Sequence, residues 1–377
     1  MELVVANSIT AFGIDEWNRL FPGELEDWSY YRATERSRLS GFSWLYFGVR
    51  DGSELRAVIP AFVTDYRLDT TLDGGLRRVV ALLARAMPAL LRPRMLALGS
   101  PVSESCHVGF AANSTPAERM RMLAVILDGC ENHAATQQAR LFAIKDVTDA
   151  QSTLWEQALT ARGMRRQAGQ ATAALALPYA TFDDYLASLG RATRKDMRRK
   201  LRTRAALRIE WRRDLEGIRE EIVRLYRNTL EHAAMQLEEL TADFFDNVLN
   251  ELVGRASCVC YWLGDALVAF NLVLHDGARL IDKYIGMDYR HVRTLNLYYV
   301  SWMENVRYAI EHGIPVYQSG QGLPEEKLRM GSILTPNWLW YRHRNRLIDG
   351  TMKTAEHALG LHRAASVIGT GTRQVRA

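Results

Sequence analysis

The sequence lacks the features that mark several common classes of protein. It has four cysteines, none in C-x-x-C spacing, and nine histidines without an H-x-x-x-H or H-x-E pair. We therefore predict neither structural disulfides nor a metal site, and expect a reducing cytoplasm as the compartment. The chain does not open on a basic segment followed by an apolar run, so no secretory signal is predicted.

One apolar stretch is long enough to raise the question of a membrane span. Residues 79–98 read VVALLARAMPALLRPRMLAL, in which three arginines and two prolines interrupt the apolar run. Charged side chains are costly inside a bilayer, and prolines break helices. We therefore predict an amphipathic lid or core helix and no membrane span, with membrane-surface binding as the alternative.

The remaining composition is that of a folded protein with two domains. Hydrophobic residues make up 48% and charged residues 24% of 377 residues, a length that suits two domains better than one. Each half contains a pair of aromatic-rich, β-branched runs joined by a Gly/Asp turn, which predicts a β-hairpin in each. These runs are residues 44–50 with 55–63, and residues 258–263 with 266–274.

The repeated pattern predicts two related α/β units with mixed sheets. A strand-like run ends near Pro178 and a helical series begins there. The predicted domains are residues 1–178 and 179–346, followed by a tail of residues 347–377.

The second half continues with a third strand, a long helix and two more strands. An amphipathic helix is predicted over 296–312, with strands over 279–287, 314–319 and 337–342. A strand–helix–strand connection within one sheet implies parallel neighbours, and the rest of the sheet should be antiparallel. Two parallel strands that splay apart would expose backbone with which an extended cofactor could pair.

Three segments of this half resemble the second GNAT domain of FemAB-like acyltransferases. They are residues 285–288 (IGMD), 317–322 (YQSGQG) and 326–331 (EKLRMG), which are similar to the G-x-D strand end, the F-G-R-G-like turn and the late Y-K-x-x-F-G of that family. The basic segment 191–202 is also typical of it. The resemblance implies two tandem GNAT-like domains and an N-acyltransferase with its site in the second.

The resemblance implies direct transfer of an acyl group from a thioester donor to an amine on a small molecule or peptide. The co-substrate would be acyl-CoA or an acyl-carrier phosphopantetheine, with no permanently bound cofactor. Residues 290–296 contain no glycine, although acetyltransferases cradle the coenzyme A pyrophosphate there with a glycine-rich loop. One alternative is aminoacyl transfer from tRNA; another is a non-catalytic module that binds phosphate or RNA.

The candidate catalytic residues are Lys327, Asp282 and Tyr284. Lys327 matches the late lysine of the family, which implies stabilisation of the carbonyl oxygen or of a substrate phosphate. Alternation along a strand places Asp282 and Tyr284 on one face, where they could act as base and acid through water. Candidate donor- and substrate-binding residues are Arg194, Arg198, Arg290, Arg293, Asn271, Gln318 and Gln321.

Overall fold

The chain forms two compact units, in a computed structural model that describes residues 1–66, 92–233, 237–346 and 348–350. Unit 1 comprises Met1–Glu24, Gly41–Ala171 and the chain from Thr335 onward, and unit 2 comprises Leu25–Ser40 and Thr172–Leu334. These units are not the continuous ranges 1–178 and 179–346, because an early segment belongs to unit 2 and a late one to unit 1. Most of the tail 347–377 and residues 79–91 lie outside the described residues.

The strands lie in two mixed sheets, one in each unit. In chain order they are β1 (Glu2–Ala6), β2 (Phe42–Asp51), β3 (Glu54–Asp65), β4 (Arg94–Leu98), β5 (Gly109–Phe110), β6 (Leu141–Thr148), β7 (Arg165–Ala168), β8 (Thr172–Ala176), β9 (Arg208–Arg212), β10 (Ala256–Leu263), β11 (Ala266–His275), β12 (Leu280–Met287), β13 (Val316–Gly320), β14 (Ile333–Thr335) and β15 (Asn337–His343). Residues 94–98 form strand β4, so the prediction of a helix over 79–98 is wrong for its last five residues.

The helices are, in chain order, α1 (Ile14–Asn18), α2 (Trp28–Arg36), α3 (Pro116–Thr136), α4 (Ser152–Thr160), α5 (Phe182–Ser188), α6 (Arg191–Lys200), α7 (Arg219–Leu230), α8 (Ala242–Glu251), α9 (Leu297–Glu311) and α10 (Pro324–Arg329). Short 3₁₀ segments include Leu201–Ala206, which directly continues α6. No helix within the described ranges is long and apolar enough to cross a membrane.

Unit 1 is a sheet of order β1-β2-β3-β4-β6-β15-β7 with β5 paired to β3. The buried side of α3 packs on this sheet through residues spaced three or four apart, such as Leu123, Ile126 and Cys130. The late strand β15 lies between β6 and β7, and its Trp340 is buried in the same core. This burial explains why the strand predicted for the second domain completes the first sheet.

Unit 2 has a sheet of order β14-β8-β13-β12-β11-β10-β9. Strands β12 and β13 are parallel neighbours joined by α9, as the sequence predicts, while the pairs β10–β11, β11–β12 and β8–β13 are antiparallel. Helix α2 joins this unit because Tyr30 lies against Phe244 of α8, and Arg36 pairs with Glu251 at 2.5 Å.

The glycine of the IGMD segment, Gly286, lies where α7 packs closely on β12. A Cβ on Gly286 would lie 2.8 Å from the backbone nitrogen of Tyr226 and 2.2 Å from the ring of Phe270. We expect Gly286→Ala to lower the free energy of unfolding by about 2–3 kcal/mol, since a clash with backbone cannot be relieved by a rotamer change. Gly277→Ala, where a Cβ meets nothing within 4 Å, is the matched control in urea unfolding. Equal stability of the two variants would contradict the packing argument.

Candidate active site

Strands β12 and β13 separate after two pairs of residues. Leu280 pairs with Tyr317 and Ile281 with Gln318, and the pairing of the two strands ends there. Each strand also has a bulge at this point: Lys283 is the extra residue of β12 opposite β11, and the register of β13 against β8 shifts at Ser319. A bulge bends its strand and increases the local twist. Both bulges therefore help to open a gap between two parallel strands, as the splayed sheet predicted from the sequence requires.

Asp282 lies where this gap begins, at the centre of a hydrogen-bonded network. Its carboxylate accepts bonds from Nδ2 of Asn271 at 2.9 and 3.2 Å, from Nδ2 of Asn305 at 3.1 Å and from the hydroxyl of Tyr317 at 3.0 Å. All three donor residues are fully buried. Burial of polar side chains without such bonds is costly, so the network holds the carboxylate in one position.

Several polar atoms around Asp282 have no hydrogen-bond partner within the described part of the chain. They are Oδ1 of Asn271, Oδ1 of Asn305 and the hydroxyl of Tyr298. Burial, and then the charge of Asp282, raise the pKa of Tyr298 and of Tyr317, so both hydroxyls keep their protons at neutral pH. An unsatisfied buried polar atom is an unfavourable feature unless a ligand or water binds it. These atoms can therefore bind a polar ligand at the strand separation.

Tyr284 is not on the Asp282 face of the sheet, because the bulge at Lys283 breaks the alternation. Its hydroxyl donates to Glu238 at 3.3 Å, and its ring lies against Phe244 and Tyr226. Asp282 instead contacts Asn305 of α9. Burial, and then Glu238, raise the pKa of Tyr284. The prediction that Asp282 and Tyr284 share one face is therefore wrong.

Lys283 is buried on the Tyr284 side of the sheet. Its ammonium pairs with Glu26 and lies 5.3 Å from the ring centre of Tyr30. Both charged side chains are nearly inaccessible, with exposed fractions of 3% and 6%. The pair ties the segment that precedes α2 to β12, which is a second reason why that segment belongs to unit 2.

Lys327 lies in α10 and is buried, not in an exposed loop. Its Nζ donates to the carbonyl oxygens of Ser319 at 2.5 Å, Gly320 at 2.9 Å and Gln321 at 3.1 Å. An ammonium has three N–H donors. Lys327 therefore holds the turn at the end of β13 against α10, and it is a positioning residue in this geometry.

The four candidate arginines fall into two groups. Arg194 donates to the carbonyl oxygen of Ala187 at the end of α5, and Arg290 binds Asp288 through Nε and Nη2. Bonding to Arg290 lowers the pKa of Asp288 to about 2. Arg198 and Arg293 are exposed and make no hydrogen bond or ion pair with any residue that the structure describes. Only the second group is available to an anionic ligand.

In and around the turn before α9 (residues 290–296), several backbone N–H groups donate hydrogen bonds to local acceptors. Arg290 N–H donates to Oδ1 of Asp288 at 3.1 Å, Leu295 N–H to the carbonyl of His291 at 2.9 Å and Leu297 N–H to that of Val292 at 3.1 Å. A phosphate cradle needs several N–H groups that point outward together. The N–H groups of Arg290, Leu295 and Leu297 are therefore not available to a pyrophosphate, and the turn also lacks the glycine of an acetyltransferase loop.

Gln318 lies near the end of β13, and Gln321 follows directly after it. Gln318 follows Tyr317 in β13, so alternation places it on the other face, and Gln321 contributes its carbonyl oxygen to Lys327. Sequence reasoning missed Asn305 and Tyr298 of α9. Asn305 stands at a fully buried position among apolar neighbours on α9, so a polar residue on the apolar face of the predicted helix was the signal.

An open groove of about 470 Å³ lies along α7, away from the Asp282 network. It is lined by Arg219, Glu220, Val223, Arg224, Arg227, Asn228, Glu231 and Ala242. Its three arginines already pair with Asp243 and Asp246, with Asp288 and with Glu239. Their charge is therefore balanced within the protein, and the groove is not a strong anion site.

Several solved structures share this fold over almost the whole chain. FemX matches with a TM-score of 0.57 at 15% identity, covering 90% of this chain and 97% of its own. The C-terminal domain of a putative lysylphosphatidylglycerol synthetase from Agrobacterium fabrum matches with a TM-score of 0.53 at 13% identity, covering 96% and 98%. A tandem GNAT protein of the clavulanic acid biosynthesis pathway matches with a TM-score of 0.53 at 12% identity, covering 91% and 99%. The fold is therefore that of tandem GNAT proteins, as expected from the sequence.

No curated protein sequence matches the chain. Residues 103–356, more than half of its length, match the model of a family described as peptidoglycan biosynthesis/recognition. This match and the shared fold agree with the enzyme class expected from the sequence, an acyltransferase. The chain belongs to the FemAB-like family.

Proposed function

We propose that the protein is an N-acyltransferase that moves an acyl group from a thioester donor to an amine by direct attack. The observation that carries the proposal is the Asp282 network, a fixed carboxylate at the point where two parallel strands of a tandem GNAT fold separate. The gap gives an extended donor arm two strand edges with which to pair. The carboxylate and the amide oxygens of Asn271 and Asn305 accept hydrogen bonds, as recognition of an amine requires.

In this mechanism the amine enters as an ammonium and loses a proton to Asp282. Its nitrogen then attacks the thioester carbonyl carbon, the C–N bond forms, and the C–S bond breaks as the tetrahedral intermediate collapses. Tyr298, which keeps its proton at neutral pH, donates that proton to the leaving sulfur. The proton held on Asp282 restores the tyrosine. The second ammonium proton, which nitrogen loses as the amide forms, is released to solvent, so that charge and protons balance over one turnover.

The turn before α9 favours a thioester donor on a carrier-bound pantetheine arm over coenzyme A, which carries a pyrophosphate that the protein would have to bind. The turn contains no glycine, and the N–H groups of Arg290, Leu295 and Leu297 bond to local acceptors and are not available to a pyrophosphate. Aminoacyl transfer from tRNA is the second candidate, since an aminoacyl ester would react with an amine in the same geometry.

A transfer assay tests the proposal. Purified protein is incubated with a panel of amines and, separately, with palmitoyl-CoA, palmitoyl-acyl carrier protein and lysyl-tRNA, and N-acylated products are sought by mass spectrometry. We expect amide products with a thioester donor. Amides formed from lysyl-tRNA alone would establish the second candidate, and tight donor binding with no amide from any donor would favour a non-catalytic binding module.

A further inference from the structure

Most of the cations in the basic segment 191–208 are bound by residues of unit 2. Arg199 and Lys200 pair with Asp196 at 2.7 and 3.0 Å, and Arg204 pairs with Glu304 at 2.5 Å. The remaining bound cations are Arg194, on carbonyl oxygens of α5 and of the following residue, and Arg208, on Glu210. These cations therefore make contacts within the protein, although Arg199 and Arg208 remain exposed.

Four cations of the segment remain, and they form one row that we call the basic stripe: Arg191, Lys195, Arg198 and Arg202. All four are exposed, and none makes an ion pair or hydrogen bond to a residue in the described ranges. At 100° per residue, the first three project from α6 within a sector of about 60°, and Arg202 follows in the next turn. The row is about 16 Å long. The sequence suggests charges spread around the helix, whereas the structure leaves only one face charged and unpaired.

The opposite face of α6 packs on the start of α9, next to the candidate active site. The Lys200 ammonium lies 3.1 Å from the ring centre of Tyr299, and Thr203 donates to the carbonyl oxygen of Leu295 at 2.6 Å. Tyr299 adjoins Tyr298, whose hydroxyl is part of the site. One helix therefore separates the stripe from the first turn of α9, a distance of about 10 Å. A partner on the stripe would need an arm to reach Asp282.

We propose that the basic stripe is the docking surface for an acidic helix of the acyl carrier protein that delivers the thioester, an inference that rests on the proposed N-acyl transfer. A single straight row of cations complements a helix with carboxylates at positions i, i+4, i+7 and i+11. The pantetheine arm of such a carrier spans the width of α6 and carries the acyl group into the strand separation. The turn before α9 needs no pyrophosphate cradle for this donor.

The same features fit RNA less well. A folded RNA presents phosphates across a surface, and the proteins that bind it place cations in more than one row, often with aromatic side chains on which bases stack. The stripe has one row, and no aromatic residue stands between Arg191 and Arg202. The described cations beside it are bound to Asp196 and to carbonyl oxygens.

Charge-reversal variants test the docking surface in a binding assay that does not depend on turnover. The double variant Arg191→Glu/Arg198→Glu is compared with Arg121→Glu/Arg140→Glu, which makes the same charge change on exposed arginines of unit 1. We expect the Kd for a fluorescently labelled holo-acyl carrier protein to rise at least about tenfold in the stripe variant and less than about twofold in the control. The wild-type Kd should also rise with salt.

Turnover separates docking from chemistry. With palmitoyl-acyl carrier protein, the stripe variant should raise KM and leave kcat unchanged, while turnover of palmitoyl-pantetheine, which has no carrier surface, should not change. If the stripe variant binds the carrier as tightly as the wild type does, the inference is overturned. The inference is also overturned if the stripe variant keeps its binding to the carrier and instead loses binding to lysyl-tRNA or to anionic vesicles. Because the Kd is measured without an amine, failure of the proposed transfer reaction leaves the docking result readable.

Discussion

Replacing Asp282 with asparagine is expected to lower kcat by about 10³-fold, the size of a general-base contribution. The substitution keeps the shape of the side chain and removes its charge and its ability to take a proton. Asn271 and Asn305 each have an unsatisfied amide oxygen, so both can rotate and accept from the new amide. The fold should therefore survive the change, and the loss should fall on the chemical step.

The measurement is kcat and kcat/KM over pH, with Asp265→Asn as the matched control. Asp265 is exposed in the turn between β10 and β11, so its variant has the same chemical change without a network. Tyr317→Phe, which removes one donor and keeps the charge, should cost about tenfold. Full activity with an unchanged pH profile in Asp282→Asn would exclude the base.

The sequence predicts the elements of unit 2 well because each has a strong local signal. The hairpin of β10 and β11 follows from β-branched runs around a Gly-Asp turn, and α9 follows from apolar residues at helical spacing that end before Gly313. The parallel pairing of β12 and β13 follows from the length of the crossover between them. Such patterns depend on neighbouring residues, so they can be read from one chain.

Other features depend on contacts between residues that are distant in the sequence. Alternation predicts one face for Asp282 and Tyr284, but a single extra residue at Lys283 moves Tyr284 to the other face. The position of Lys283 is fixed by Glu26, which lies more than 250 residues earlier. Likewise β15 completes the sheet of unit 1 through pairs with β6 and β7. No local pattern around these residues encodes such partners.

Lys327→Ala is expected to lower the free energy of unfolding by about 3–5 kcal/mol, whereas the family resemblance alone predicts a loss of turnover with little loss of stability. Each ammonium–carbonyl bond contributes about 1.5 kcal/mol or more, and the variant leaves three carbonyl oxygens near β13 without their donor. Urea unfolding measures the effect. Glu325→Ala, on the exposed side of the same helix, should change stability by less than about 0.5 kcal/mol.

The two roles of Lys327 also differ in what the conservative variant Lys327→Arg would do. If the residue only positions the turn, a guanidinium that reaches the same carbonyl oxygens recovers part of the stability, and turnover recovers with it. If the ammonium also stabilises a developing oxyanion, stability returns while kcat stays low, because the guanidinium places its charge elsewhere. The geometry favours the first result, since the carbonyl oxygens of Ser319, Gly320 and Gln321 accept from all three N–H donors. A stable Lys327→Ala protein with a large loss of kcat would contradict the positioning role and restore a catalytic one.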